Sequence, residues 1–216
     1  MTEENSTKLR KIKQSFRLYM NGDASRSMRE KGVEYKLNWG VPIPTLKAMA
    51  AEYGKDYELA IALWKENIRE CKILATMIMP PEQTLPEVVD IWMEQTPSQE
   101  IAELAAFNLY QHLDYAPILA YEWMASDDDL RQICSYQILA RLFMQGQEPN
   151  TRGINEYLDQ VYVALQSGNM GVRRAALASV ERFIQLGYVY ANMSPYNRAE
   201  HLQSHLSHQK PAASAG

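Results

Sequence analysis

Residues 168–187 read GNMGVRRAALASVERFIQLG, and this stretch has the pattern of a helix with one buried face. Apolar side chains recur at Val172, Ala176 and Val180, a spacing of four residues that is typical of an amphipathic α-helix. The Gly-Asn pair at its start is typical of a turn. Gly187 is expected to end the helix, because helices often close on a glycine in the left-handed conformation.

The same helical pattern recurs in pairs along the chain. A first apolar helix is followed, after a short break, by a second one. The pairs span residues 57–75, 88–106, 118–135 and 154–187. Three tryptophans near the ends of first helices are 28 and 31 residues apart, and we interpret them as core side chains: Trp64, Trp92 and Trp123. This periodicity predicts an all-α protein with a HEAT-like α-α superhelix, a solenoid of antiparallel helix pairs.

The pattern also predicts the domain organisation. We expect a single helical-repeat domain over residues 1–208, a length that one domain can fill. Basic N-terminal helices would occupy residues 1–54, and helix-pair repeats residues 55–187. A C-terminal cap helix would follow over residues 188–208. Residues 209–216 are expected to be a disordered tail.

The composition limits the classes of function. Hydrophobic residues make up 46% of the chain and charged residues 22%, as in a globular domain. No run approaches the roughly 18 apolar residues of a membrane span, so we expect no membrane partner. The polar N-terminus lacks the apolar core of a signal peptide, which favours a cytoplasmic location.

The charge is unevenly distributed along the chain. The net charge is −4, which argues mildly against DNA binding. Residues 82–129 contain eleven acidic and no basic side chains, whereas residues 1–36 contain nine basic and five acidic ones. A folded chain can still gather its basic ends onto one face, so this pattern leaves both DNA and protein partners open.

Motifs for cofactors and metals are scarce. The chain has no glycine-rich phosphate loop and no zinc-protease or hydrolase motif, so we expect no cofactor. Cys71 and Cys134 lie within apolar helical patterns and are expected to be buried free thiols. His201, His205 and His208 share one helical face, but no carboxylate or cysteine completes a metal site, so we expect none.

Arginines stand at the starts of several second helices, directly after an apolar residue. They could lie over the helical core with their charged heads in solvent, or they could bind a ligand. Residue chemistry alone leaves these alternatives open. The positions are Arg69, Arg131 and Arg173, the last followed by Arg174.

Several segments resemble the DNA alkylation repair enzymes of AlkD type, which are HEAT-repeat DNA glycosylases. These segments are WGVPIPTLK at 39–47, KDYELAIALWK at 55–65, IRECKILA at 68–75 and VRRA at 172–175. The likeness covers most of residues 35–200. It implies a concave basic face that grips duplex DNA, and excision of N3- and N7-alkylated purines without flipping the base into a pocket.

The resemblance assigns candidate site residues but shows departures from the family pattern. In the run that matches the catalytic helix, Gln99 replaces a DNA-facing tryptophan and Glu103 replaces the key aspartate. Gln132 replaces the second arginine of a pair in the family. Ala178 stands where the family has a second DNA-facing tryptophan. The resemblance therefore makes Glu103 the candidate catalytic residue. The candidate DNA-binding residues are Gln99, Arg131, Gln132, Arg173 and Arg174.

These departures lead to two hypotheses. A carboxylate must lie close to the developing charge on the sugar, and a displacement of about 1 Å can cost on the order of 100-fold in rate. We therefore expect a DNA-binding protein with weakened, altered or absent excision. The alternative is a non-enzymatic scaffold whose concave face binds a protein or a nucleic-acid structure. A continuous basic groove would favour DNA, and an acidic strip would favour the scaffold.

Overall fold

The computed structural model describes residues 3–30 and 35–192, with the backbone alone for residues 188–192. Eleven α-helices lie in these ranges, and the only strand-like pairing among them is an isolated bridge between Leu37 and Ile68. The helices are α1 (Glu3–Ser15), α2 (Gly22–Glu30), α3 (Ile43–Tyr53), α4 (Tyr57–Trp64), α5 (Arg69–Ile78), α6 (Pro86–Glu94), α7 (Gln99–Asn108), α8 (Ala116–Met124), α9 (Asp129–Met144), α10 (Thr151–Ala164) and α11 (Met170–Asn192).

The helices form two layers, as the pairing pattern predicts. The second helices pack side by side in the order α3, α5, α7, α9 and α11. Behind them, α4 packs on α5, α8 on α9 and α10 on α11, while α1 packs on α4. Each helix pair buries its apolar face only by stacking on its neighbours. The all-α, HEAT-like superhelix is therefore confirmed.

The three periodic tryptophans fill the space between repeats. The rings of Trp64 and Trp92 stack with centroids 4.2 Å apart and an interplanar angle of 3°. Trp123 meets the edge of Tyr110 at 5.6 Å. All four side chains are buried. Their assignment to the core is thus confirmed, as is the burial of the free thiols of Cys71 and Cys134.

Polar side chains join each repeat to the next at a nearly constant separation. Four hydrogen bonds connect residues that are 31 or 32 positions apart, with donor–acceptor distances of 2.9–3.1 Å. The side chains of Trp64, Asn108, Tyr115 and Tyr121 donate to Gln95, Thr76, Thr84 and Gly153, respectively. We call these contacts the inter-repeat hydrogen bonds.

The last helix is longer than expected. The predicted end at Gly187 is wrong, because α11 continues to Asn192. A glycine ends a helix when it takes a positive φ, and among the described glycines only Gly40, Gly54 and Gly146 do so. Within a helix, a glycine costs about 1 kcal/mol relative to alanine, which packing of the preceding turns can offset. The rest of the predicted cap helix, its three histidines and the tail lie outside the described residues.

None of the described helices is both long and apolar enough to cross a bilayer.

Lys72 is a buried lysine within α5. Its ammonium group donates a hydrogen bond to the Trp64 carbonyl oxygen at 3.1 Å and lies 4.2 Å from the centroid of the Trp64 ring. Burial lowers the pKa of Lys72 from 10.5 to about 8. The charged form is therefore less favourable in the folded chain than in the unfolded one.

Lys72→Met is expected to raise the free energy of unfolding at pH 7 by about 1–3 kcal/mol, because it removes this buried charge. The unfolded chain holds the proton up to a higher pH, so the stability of the unsubstituted protein rises between pH 8 and 10.5. The gain should therefore shrink at about pH 10 in urea denaturation, with exposed Lys65→Met as the control. A gain that is unchanged at high pH would contradict this account.

Candidate functional site

A groove of about 390 Å³ crosses the layer of second helices. Its walls come from α3, α7 and α9. Glu103 and Phe107 lie one turn apart on α7, as do Gln137 and Arg141 on α9, so each pair shares a helix face. We call this feature the second-layer groove. Its lining residues are Ile43, Glu100, Glu103, Leu104, Phe107, Gln137 and Arg141.

Two cations meet over one aromatic ring at this groove. The guanidinium of Arg141 lies 4.6 Å from the centroid of the Phe107 ring, and the ammonium of Lys47 lies 5.3 Å from it. Phe107 is 37% exposed, so the cluster faces solvent. Each such contact contributes roughly 0.5–1 kcal/mol at an exposed site. The Lys47–Phe107–Arg141 cluster therefore holds two positive charges around the Phe107 ring, which lines the groove.

The candidate catalytic residue lies in the same groove. Gln99 donates a hydrogen bond from Nε2 to Oε1 of Glu103 at 2.8 Å, one turn along α7. The start of α11 approaches this pair closely: a Cβ atom on Gly171 would lie 2.5 Å from Oε1 of Gln99. The structure thus brings together Gln99 and Glu103, which the sequence assigns to one helix, and places them beside α11.

The second carboxylate of the groove is already paired. Arg69 donates to both oxygens of Glu100, at 2.8 and 2.6 Å, and the Tyr35 hydroxyl donates at 2.6 Å. Burial alone would raise the pKa of Glu100, but the hydrogen bonds from Arg69 and Tyr35 outweigh it and lower that pKa. Glu100 is therefore ionised and neutralised by Arg69. Among the charged side chains that line the groove, this leaves Glu103 and Arg141 without such a partner across the groove, and Lys47 adds a second positive charge at the Phe107 ring.

Two of the predicted DNA-binding residues make contacts elsewhere. Arg131 lies 3.3 Å from a carboxylate oxygen of Asp90 on α6 and 5.4 Å from the centroid of the Trp123 ring on α8. Gln132 donates to the Ser126 carbonyl oxygen at 2.6 Å, in the turn before α9. Arg131 thus contacts the first-helix layer. The residues of α9 that line the groove are Gln137 and Arg141.

The two arginines of α11 differ in their surroundings. Arg173 donates to the Ser167 carbonyl oxygen and lies 3.5 Å from the sulfur of Met170, so it holds the turn before α11. Arg174 is exposed, and it makes no hydrogen bond or ion pair with the part of the chain that the structure describes. Of the two, Arg174 has its charge free for a ligand. The assignment of both to DNA stays a prediction.

Sequence reasoning missed Lys47, Phe107 and Arg141. One local signal was present, because Phe107 follows Glu103 by four residues and so extends the face of α7 that Gln99 begins. No local pattern in the sequence indicates that Lys47 on α3 and Arg141 on α9 both approach this ring.

Comparisons with known proteins agree with this architecture. The model of the family described as DNA alkylation repair enzyme matches residues 12–156, about two thirds of the chain. No curated protein matches the chain. One solved structure is 15% identical in sequence and superposes with a TM-score of 0.73. The match covers 83% of this chain and 79% of the chain in that structure. That structure is described as belonging to a new family of proteins related to the HEAT-like repeat DNA glycosylases with affinity for branched DNA structures. Because the family model matches more than half of the length of this chain, the chain belongs to the DNA alkylation repair enzyme family.

Proposed function

We propose that this protein binds DNA through the second-layer groove, prefers branched DNA to linear duplex, and does not excise alkylated bases. The observation that carries the proposal is the Lys47–Phe107–Arg141 cluster, two cations held at a solvent-facing groove. The affinity for branched DNA attributed to the structural neighbour supports the choice of ligand.

Phosphate groups are the part of DNA that such a cluster would bind. Contacts to phosphates supply most of the sequence-independent affinity of DNA-binding proteins. Arg141 can present two parallel donors to a phosphate, and Lys47 supplies a second charge beside it. The exposed Arg174 on α11 would extend the same binding face. Pairing of Glu100 with Arg69 keeps one of the two groove carboxylates from repelling the phosphates.

The surroundings of Glu103 favour binding without excision. Removal of an alkylated base requires stabilisation of positive charge on the sugar and on the leaving base, for which carboxylates and aromatic faces are suited. Glu103 has a glutamine beside it, and the exposed face of α11 carries Ala178. The carboxylate is present, but aromatic side chains are absent from both positions where the family resemblance would place them.

The binding proposal predicts a loss of affinity on removing the two cations. Lys47→Gln with Arg141→Gln should weaken binding to a four-way junction by about 10- to 100-fold and reduce the salt slope by about two, because two phosphate contacts are lost. Fluorescence anisotropy over a range of salt concentrations measures both quantities. The matched control is Lys65→Gln with Arg152→Gln, which removes two exposed charges from the other layer. Equal losses in the two variants would count against the groove.

The chemical part of the proposal has its own assay. Duplex DNA containing 7-methylguanine should release no base above background when incubated with the protein, because Gln99 and Ala178 stand where the family resemblance places aromatic partners for the cationic base. Glu103→Gln should leave junction affinity within about twofold or raise it slightly, since it removes a negative charge from the groove. Base release by the unsubstituted protein that disappears in Glu103→Gln would show that the enzyme is active.

A further inference from the structure

The turn between α1 and α2 exposes three large apolar side chains in a row. Leu18, Tyr19 and Met20 are 81%, 50% and 59% exposed. Single exposed apolar residues are common on protein surfaces, but a contiguous exposed group often marks a binding site. We call residues 18–20 the apolar tip.

The apolar tip is held firmly on both sides. Phe16 is fully buried just before it. After it, the main-chain N–H of Asn21 donates to the Trp39 carbonyl oxygen at 2.9 Å, and the Asn21 side chain accepts from the Ala24 N–H at 2.9 Å. Gly40 packs directly against the carbonyl oxygen of Asn21. The three side chains therefore project from an anchored turn.

Arginines flank the apolar tip in the sequence. Arg17 precedes it and lies 5.8 Å from the centroid of the Trp39 ring. Arg26 and Arg29 follow on α2, and both are exposed. Asp23 and Glu30 are the acidic residues in the described part of α2, and Asp23 lies 3.8 Å from Arg26. The three arginines outnumber these two carboxylates, and an apolar projection with a net positive charge beside it complements a polyanion that can open to receive apolar groups.

The tip is linked to the second-layer groove through the segment that leads into α3. Trp39 and Gly40, which anchor the tip, lead directly into α3. Ile43 at the start of α3 lines the groove, and Lys47 follows it by about one helical turn of 5.4 Å. A single DNA molecule whose phosphates meet Lys47 could therefore also reach the tip.

We propose that the apolar tip is a wedge that enters DNA at a branch point, where base stacking is interrupted. This inference rests on the proposed DNA binding. Leucine and methionine are among the side chains that proteins insert between base steps, and tyrosine stacks on unpaired bases. Insertion is least costly where the bases are already unpaired or unstacked. The tip thus supplies the preference for branched DNA, and the groove supplies the grip on phosphates.

The test replaces Leu18, Tyr19 and Met20 by serine in the full chain. The matched control replaces Leu158, Tyr162 and Val163, which are exposed on α10, by serine. Affinities for a four-way junction and for a linear duplex of equal length are measured by anisotropy. The tip variant should bind the junction about 10-fold or more weakly and keep its duplex affinity, since contacts with unstacked bases are lost only at the branch point. The control should change neither affinity.

A second readout reports the wedge itself. With 2-aminopurine at the branch point, the unsubstituted protein should raise the fluorescence by unstacking the base, and the tip variant should not. Circular dichroism and thermal unfolding that match those of the control show that the tip variant is folded.

Three results would overturn the inference. One is an undiminished junction preference in the tip variant; another is an equal loss of junction and duplex affinity. The third is a tip variant that no longer binds phosphatidylserine vesicles, which the unsubstituted protein binds, but keeps its preference for the junction. That result would assign the tip to a lipid surface. An unsubstituted protein that binds neither DNA would instead refute the proposed function, and the wedge with it.

Discussion

Arg69→Met is expected to lower the free energy of unfolding by about 3–5 kcal/mol, because it leaves the buried Glu70 and the half-buried Glu100 without their charged partner. Arg69 is 2% exposed and donates to both oxygens of Glu100. It also lies 3.2 Å from an oxygen of Glu70, which is fully buried. Glu70 in turn accepts hydrogen bonds from the main-chain N–H groups of Trp39 and Val41. The substitution therefore disturbs the segment that leads into α3 as well as α7.

The control is the same change at Arg131, whose partner Asp90 is more than half exposed. Arg131→Met should cost less than about 1 kcal/mol, as for other exposed ion pairs. If both substitutions lowered the free energy of unfolding equally, the buried network around Arg69 would contribute no more than the surface pair of Arg131 and Asp90.

The loss at Arg69 should also depend on pH. The lowered pKa of Glu100 stabilises the folded protein above the unfolded value of about 4.5, and this stabilisation is lost as the pH falls through the folded value. In Arg69→Met only the hydrogen bond from Tyr35 still opposes the effect of burial, so the pKa of Glu100 should rise. The difference between the two proteins in urea denaturation should therefore be smaller at about pH 4 than at pH 7.

Gly40→Ala is the second substitution with a large expected effect, a loss of about 3–5 kcal/mol. Gly40 has a φ of +70°, which a side chain tolerates poorly. An added Cβ would also overlap the Asn21 carbonyl oxygen and lie 3.0 Å from the main-chain nitrogen of Ser25. Both neighbours are backbone atoms, so relief would require movement of the turn against α3.

Gly54→Ala separates the two causes. Gly54 has a φ of +69°, but an added Cβ would meet nothing within 4 Å. Its loss should reflect backbone strain alone, of order 1–3 kcal/mol. The excess loss in Gly40→Ala then measures the overlap with Asn21. If chemical denaturation gave the same loss for both variants, the close approach would have no energetic weight.

The fold was readable from the sequence because its signals are local and repeat. Apolar spacing within each helix and the regular tryptophans identify helix pairs without knowledge of tertiary contacts. The prediction that α11 ends at Gly187 fails for a related reason. A glycine is only a local signal, and whether Gly187 takes a positive φ depends on the surrounding structure.

The candidate site was only partly readable. Gln99 and Glu103 could be paired because they are one turn apart on one helix. Arg69 and Arg131 look alike in sequence, each following an apolar residue at a helix start, yet one is buried between carboxylates and the other lies at the surface. The difference comes from the partner of Arg69, Glu100, which is 31 residues away. Likewise Arg141 and Lys47 meet at Phe107 from helices that only the superhelix brings together.

The inter-repeat hydrogen bonds bear on how this chain can change in length. Each of them joins one repeat to the next, and each spans nearly the same number of residues. A whole repeat could therefore be gained or lost in evolution with the remaining inter-repeat hydrogen bonds intact, because none of these four reaches past the neighbouring repeat. The hydrogen bond from Tyr35 to Glu100 spans 65 residues and would be broken by such a change within that span. A shorter insertion would shift the two partners of a link out of register. Length variation in such an array is thus expected in steps of a full helix pair or within its turns.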